Sequence, residues 1–372
     1  MDAQRFKVSA NVGSAGRLTI DLSALRANYL RLCATVAPAR AAAVVKANAY
    51  GLDVARVAPV LDAAGCRDFF VAQYGEALEL KPHVSAEARI YVLNGLLPGF
   101  EGDCATRGIV PVLNSLEQVE NWNELAKARG QKLPALLQFD TGMSRLGLSM
   151  EEAVLLAHQP SLLDGVDVLY IMSHLASADE AESPQNAAQA AAMREFAELF
   201  PDHQLCFANS GGIFLGSDLH GALVRPGIAL YGGRPTDVID TPMQPVVSLD
   251  VPVVQTRTVP AGTLVGYSGA YVAKAERRLA TLSVGYADGL PRSLSDRGAV
   301  SCDGVRLPIV GRVSMDSLIV DISDLPAGRL KLGDHVEVIG PHQSLEDLAA
   351  DAGTISYEIL TGLGRRFQRR YR

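Results

Sequence analysis

Cysteine, charge and long apolar runs are scarce in this chain, and each scarcity removes a class of function. The five cysteines (Cys33, Cys66, Cys104, Cys206, Cys302) are scattered and odd in number, with no CxxC pair. That excludes a thiolate zinc site and a disulfide scaffold, and fits reduced thiols in a cytoplasmic protein. No run of about 18 apolar residues is available for a membrane helix. No GxGxxG turn appears, which argues against a dinucleotide-binding open sheet. Lys and Arg number 34 against 41 Asp and Glu, a net charge of −7, so no general attraction to nucleic acid or anionic lipid follows. The one basic cluster, Arg365, Arg366, Arg369, Arg370 and Arg372, reads as a solvated tail. The opening segment MDAQRFKVSANVGSAG has no apolar core of the secretory kind. It is polar, and residues 1–17 are read as a partly disordered extension.

What the chain does have is one phrase repeated. A short apolar run ends in a polar residue, and an amphipathic stretch follows. The runs are AAVVKANAYG, FFVAQYG, ARIYVLNG, IVPVLNS, PALLQFDTG, VLYIMSH, LCFANSGG and ALVRPGIALYG, between residues 42 and 232. Near-continuous apolar strands alternating with helices indicate a parallel sheet covered on both faces. Eight units in roughly 200 residues indicate a TIM (β/α)8 barrel, assigned to 18–245. Two of the helices are marked at their ends: Ser115 and Gly130 bracket one, and Pro184 opens another. After about residue 245 helical periodicity gives way to β-branched runs cut by Gly and Pro, apart from one late helix at SLEDLAADAG. Residues 246–372 are therefore read as a C-terminal all-β domain. The early strand in GRLTIDL could belong to either part.

A barrel places its chemistry where its strands end. Those ends carry Lys46, Asn94, Asn114, Asp140, His174, Asn209 with Ser210, and Arg225. An ordinary strand lysine lays its stem along apolar surface and keeps its ammonium in water. Lys46 differs by its place at the mouth. In a confined pocket a lysine loses its proton readily and attacks carbonyl compounds to give a Schiff base. With neither a metal cluster nor a dinucleotide loop, pyridoxal phosphate is a reasonable aldehyde partner.

Nine motifs then resemble the alanine racemases, a family of fold-type III pyridoxal phosphate enzymes. They are VVKANAYG, DTGMSRLG, SHLASAD, ANSGG, VRPGIALYG, GYSGAYVA, VGYADG, GRVSMDS and SYEILT, in order across nearly the whole chain. The resemblance implies interconversion of L- and D-alanine. Lys46 would hold the cofactor and serve one face of the substrate α-carbon. Tyr271 would serve the other, entering from the partner of a homodimer. Two groups are needed because the proton must leave one face and return to the other. A tyrosine in water keeps its proton to about pH 10. His174 resembles the residue that hydrogen-bonds this phenol. Arg225 would face the pyridine nitrogen, where most pyridoxal enzymes place a carboxylate. A guanidinium cannot take up the ring's proton, which weakens the electron sink and suppresses side reactions. Tyr50, Ser210, Tyr357 and the N–H groups of Gly227 and Ile228 match the phosphate cradle. Arg145 matches the residue facing the cofactor's phenolic oxygen and the substrate carboxylate. Met315 would offer its N–H to that carboxylate from the partner. Asp140 and Asp316 are read as ordering their loops.

Two positions depart from the family pattern. Gln138 stands where many members carry a lysine, often carbamylated, and a chloride or water would fill the missing charge. Leu290 stands where a tyrosine often helps line the entrance. The rival functions are a racemase of broader range acting on serine or basic amino acids, a basic amino acid decarboxylase, and a pyridoxal phosphate carrier without turnover. Arg225 argues against the decarboxylase, which needs a carboxylate there. The β-domain with Tyr271 argues against the carrier, a single barrel. The motifs do not separate making D-alanine for cell wall from breaking it down.

Overall fold

The computed structural model describes residues 16–236 and 243–372, so most of the extension expected at 1–17 lies outside the described residues. Among these, two compact units emerge, residues 25–236 with 243–244 and residues 16–24 with 245–372.

The first unit is the barrel. All eight apolar runs form parallel strands: Arg40–Ala41 with Ala43–Val44, then Asp68–Val71, Arg89–Val92, Val110–Leu113, Leu133–Gln138, Val166–Met172, Leu205–Asn209 and Leu223–Arg225. The first strand closes the circle. Arg40, Ala42 and Val44 donate to the carbonyls of Ala222, Val224 and Pro226 at 2.9–3.0 Å, while Ala43 and Val44 pair with Phe69 and Phe70 on the other side. Strands such as Asp68–Val71 and Val110–Leu113 are buried at every position, which is why they read as unbroken apolar runs. The helices follow their signals. Ser115 caps Leu116–Arg129 through Gln118 N–H, and Gly130 ends it at φ 64°. Pro184 is the first residue of Pro184–Leu199. Among the described residues, no helix is long and apolar enough to cross a membrane.

The second unit is a β-domain. Its long strand Val247–Val259 pairs with Arg17–Ile20, with His335–Ile339 and with Arg277–Leu282. The strand in GRLTIDL thus belongs here, and the boundary falls at 24/25 rather than 18. Its other neighbour is the tail strand Gln368–Tyr371, which runs parallel to it. The tail is therefore not simply solvated. Arg372 Nε pairs with Asp21 at 3.0 Å, and Arg366 grips Asp288 through two bonds of 2.6 and 2.8 Å. Besides the expected helix, Leu345–Ala352, a second one spans Ser356–Gly362.

Candidate active site

The barrel mouth opens with an unusual turn. Directly after Lys46, four residues in succession, Ala47, Asn48, Ala49 and Tyr50, have φ between 51° and 55°, and Gly51 follows at 81°. Each L-residue held left-handed costs roughly 1–2 kcal/mol, so the surroundings must impose this shape. Glu76 does part of that. Its Oε1 accepts from Ala47 N–H at 2.5 Å, and its Oε2 accepts from Ala72 and Gln73 N–H groups at 2.8 and 3.0 Å. Asn48 Oδ1 takes the N–H of Val54 at 2.8 Å. The turn brings Tyr50 back over the last strand, where its ring stacks on Tyr231 at 4.6 Å between centroids. A Cβ on residue 227 would sit 2.2 Å from the Tyr50 hydroxyl, so any larger residue there would push the buried Tyr50 ring aside.

Charge at the mouth is one-sided. Burial, and then the Arg145 guanidinium, push the Lys46 amine below its usual range. Glu76 pulls the other way and Arg225 adds to the depression. Arg225 is 3% exposed and, among the described residues, has no carboxylate partner. Its fork is held by backbone carbonyls instead: Cys206 at 2.6 Å, Ser173 at 2.6 Å and Phe207 at 3.1 Å. The same nitrogen that reaches Ser173 also lies 3.4 Å from His174 Nδ1. Burial, followed by the charges of Arg225, Arg145 and Lys46, lowers His174 from 6.5 to about 3. The ring is neutral, and a guanidinium donor on Nδ1 leaves its proton on Nε2.

Donors for an anion converge beside these groups. Ser210 Oγ accepts from the N–H groups of Gly227 at 2.8 Å and Ala229 at 3.3 Å, which leaves its own proton to donate outward. Ile228 opens the short turn Ile228–Tyr231, so its N–H has no partner within that turn. Arg225 Nε bonds no protein atom among the described residues. A phosphate cradle, a deprotonatable lysine and a buried guanidinium donor suit a phosphorylated pyridine aldehyde. The residues fit that group.

Asp140 orders its loop as the sequence suggested: Oδ1 accepts from Gly142, Met143 and Ser144 N–H groups at 2.9–3.0 Å. Arg145 stands exposed on that loop. Gln138 is buried and donates through Nε2 to Leu146 O at 3.2 Å. Asn114 is structural, bridging the carbonyls of Leu93 and Val112 at 3.0 and 2.9 Å.

The barrel thus gathers Lys46, Tyr50, Arg145, His174, Ser210, Arg225, Gly227 and Ile228 at one end. Tyr271, Met315 and Tyr357 lie in the β-unit. There Tyr271 opens strand Tyr271–Val272, paired to Leu264–Val265, and packs against the apolar cluster of Val259, Val265, Ala273, Leu279 and Val310. Met315 is 53% and Tyr357 37% exposed. Asp316 is tied to Arg366 at 2.6 Å, as a loop support should be. Leu290 is fully buried, so in this chain it serves the core of the β-unit rather than an exposed lining. Glu76, Gln185 and Gln189 bear on the site although none of them stands at a strand end. The Q-x-x-E spacing of Gln73 and Glu76 was a usable sign, since it marks a capping box.

A (β/α)8 barrel with a lysine, a cluster of anion donors and an arginine held by carbonyls at its mouth, joined in sequence to a β-domain, fits a class of pyridoxal phosphate enzyme. The comparisons narrow it. Residues 20–235 match the alanine racemase N-terminal domain, and residues 246–371 match the C-terminal domain. A protein of Agrobacterium fabrum named "Alanine racemase, catabolic" is 59% identical over 100% of this chain and 96% of its own length. A Rhizobium johnstonii protein of the same name is 61% identical over 97% and 96%. The crystal structure of alanine racemase from Bartonella henselae, with covalently bound pyridoxal phosphate, superposes with a TM-score of 0.93 at 47% identity, covering 96% of this chain and 99% of that one. The chain belongs to the alanine racemase family.

Proposed function

We propose that Lys46 and Tyr271 are the two proton carriers with which this chain interconverts L- and D-alanine, Lys46 on one face of the α-carbon and Tyr271 of a partner subunit on the other. The observation that carries the reading is the lysine at the barrel mouth, pushed toward its neutral form by burial and by Arg145, beside a built anion cradle. Bound pyridoxal phosphate supplies the electron sink for the pair left when the α-proton departs.

The chain's own groups do the rest. Tyr50, Ser210, Tyr357 and the Ile228 N–H would hold the phosphate, and the Gly227 N–H, by donating to Ser210 Oγ, would turn that hydroxyl's proton toward it. Arg225 donates to the ring nitrogen and cannot give up a proton to it, so that nitrogen stays neutral. Lys46, as a free amine, takes or returns a proton at its Nζ. His174, neutral, offers its Nε2 proton toward the Tyr271 oxygen and so stabilises the phenolate. Arg145 and the N–H of Met315 orient the substrate carboxylate. A neighbouring chloride or water beside Gln138 completes the setting of Arg145. The chain acts as a cytoplasmic homodimer, a reading supported by five free cysteines and by a tyrosine borne outside the barrel. The catabolic names of two relatives favour breakdown of D-alanine over its supply to cell wall.

The test is Tyr271→Phe in the holoenzyme, followed in both directions, with borohydride labelling mapped to Lys46. We expect racemisation to fall by roughly 10²–10⁴, the usual worth of a general base. Unchanged racemisation removes the two-base scheme. A label elsewhere than Lys46 removes the cofactor assignment.

A further inference from the structure

Helix Pro184–Leu199 lies outside the barrel and carries no group assigned to the chemistry. Its buried face nevertheless begins with carboxamides before turning apolar at Met193 and Phe196. Gln189 is 0% exposed, and all of its polar capacity is directed at the mouth. Its Oε1 accepts from Ala176 N–H at 2.8 Å, while its Nε2 donates to Thr141 Oγ1 at 3.0 Å and to His174 O at 2.9 Å. Thr141 Oγ1 in turn meets Ser173 Oγ at 2.8 Å. One helical turn earlier, on the same face, Gln185 makes a second bridge. Its Oε1 accepts from Ser177 Oγ at 2.5 Å, and its Nε2 donates to Gly142 O at 2.9 Å.

Each carboxamide therefore has one hand on the Thr141–Gly147 loop, which bears Arg145, and the other on residues 174–177, which begin with His174. An apolar side chain of the same volume would pack a helix against a barrel without the cost of burying an amide. What it could not do is tie two loops together.

We propose that Gln185 and Gln189 are positioning residues: a pair of carboxamide staples that fix the Arg145 loop to the His174 segment and so set the spacing between the carboxylate-binding arginine and the histidine behind the phenol. The inference rests on the roles given above to Arg145 and His174. Neither glutamine touches the reacting atoms.

Hydrogen exchange on the holoenzyme, read by mass spectrometry for residues 141–147 and 174–178, tests the staple in Gln189→Leu and in Gln185→Leu. Exchange should rise in both segments together by roughly tenfold, the opening expected when one or two neutral hydrogen bonds are lost. In the same variants KM for alanine should rise by roughly five- to tenfold with a smaller change in kcat, because substrate binding is loosened more than proton transfer. Gln185 is half-buried, so its variant gives the answer should Gln189→Leu not fold. Unchanged exchange, or a rise confined to one segment, overturns the proposal. So does raised exchange with KM and kcat both within twofold of the parent, since the bridges would then be structural only. Failure of the functional reading shows differently: the parent protein would not racemise alanine, whatever its exchange pattern.

Discussion

At the scale of single residues, the mouth collects cations, and Glu76 offsets only part of their charge at Lys46. Lys46, Arg145 and Arg225 face one another, and His174 absorbs the consequence by staying neutral. The linkage has a definite sign. His174 titrates at about 3 when folded against 6.5 ordinarily, so between these values the unfolded chain binds more protons. Stability from this residue is fully present above about pH 6.5 and is lost as pH falls toward 3. Replacing it with a neutral group removes that loss. We expect His174→Gln to flatten the acid fall in unfolding free energy, read by urea denaturation between pH 7 and pH 4, by an amount on the order of 2–3 kcal/mol. Parallel falls for parent and variant would show that His174 is not held neutral. The sequence announced this histidine through its position at a strand end and through the SHLASAD motif. Its neutrality comes from arginines distant along the chain, which no local pattern displays.

The element that most shapes the site is the left-handed turn at residues 47–50, which aims Lys46 and Tyr50 in one sweep. Ala47 is exposed and bonds through its backbone alone, so substitution there tests the backbone by itself. Ala47→Gly should stabilise the protein by about 0.5–1 kcal/mol, since glycine bears no left-handed penalty, offset in part by its freer unfolded state. Ala47→Val should destabilise it by roughly 1–2 kcal/mol, because a β-branched side chain tolerates that region worst. Thermal unfolding reads both, and equal midpoints for Gly and Val would deny the turn its handedness. This turn was illegible beforehand. Alanine and asparagine have no signature for four left-handed residues in a row, and only Gly51 hinted at it. The eight strands were legible for the opposite reason: burial on both faces leaves a continuous apolar run and a polar residue where each strand stops. The helix beside the sixth strand was legible as a helix, but the use of Gln185 and Gln189 was not, because their partners lie on two loops.

Over the whole molecule, both ends of the described chain are drawn into one sheet. Arg366 is the tie that the sequence most undervalued, a residue of an apparently solvated tail that clamps the 7%-exposed carboxylate of Asp288 and also reaches Asp316. Arg366→Leu strands that carboxylate and should cost roughly 2–3 kcal/mol, less than a fully buried pair because the guanidinium is half in water. Adding Asp288→Asn should return part of the loss. If urea denaturation shows the double variant to be no better than the single, the pair is not the source. The order of sheet neighbours also carries a consequence for biosynthesis. Residues 17–20 are translated early, yet their partners are strand 247–259 and, last of all, strand 368–371. The barrel ends at residue 244, so strand 247–259 follows it within a few residues, whereas strand 368–371 comes more than a hundred residues later. During synthesis, then, the opening strand gains its antiparallel neighbour first and stays open along its other edge until residues 368–371 have been added.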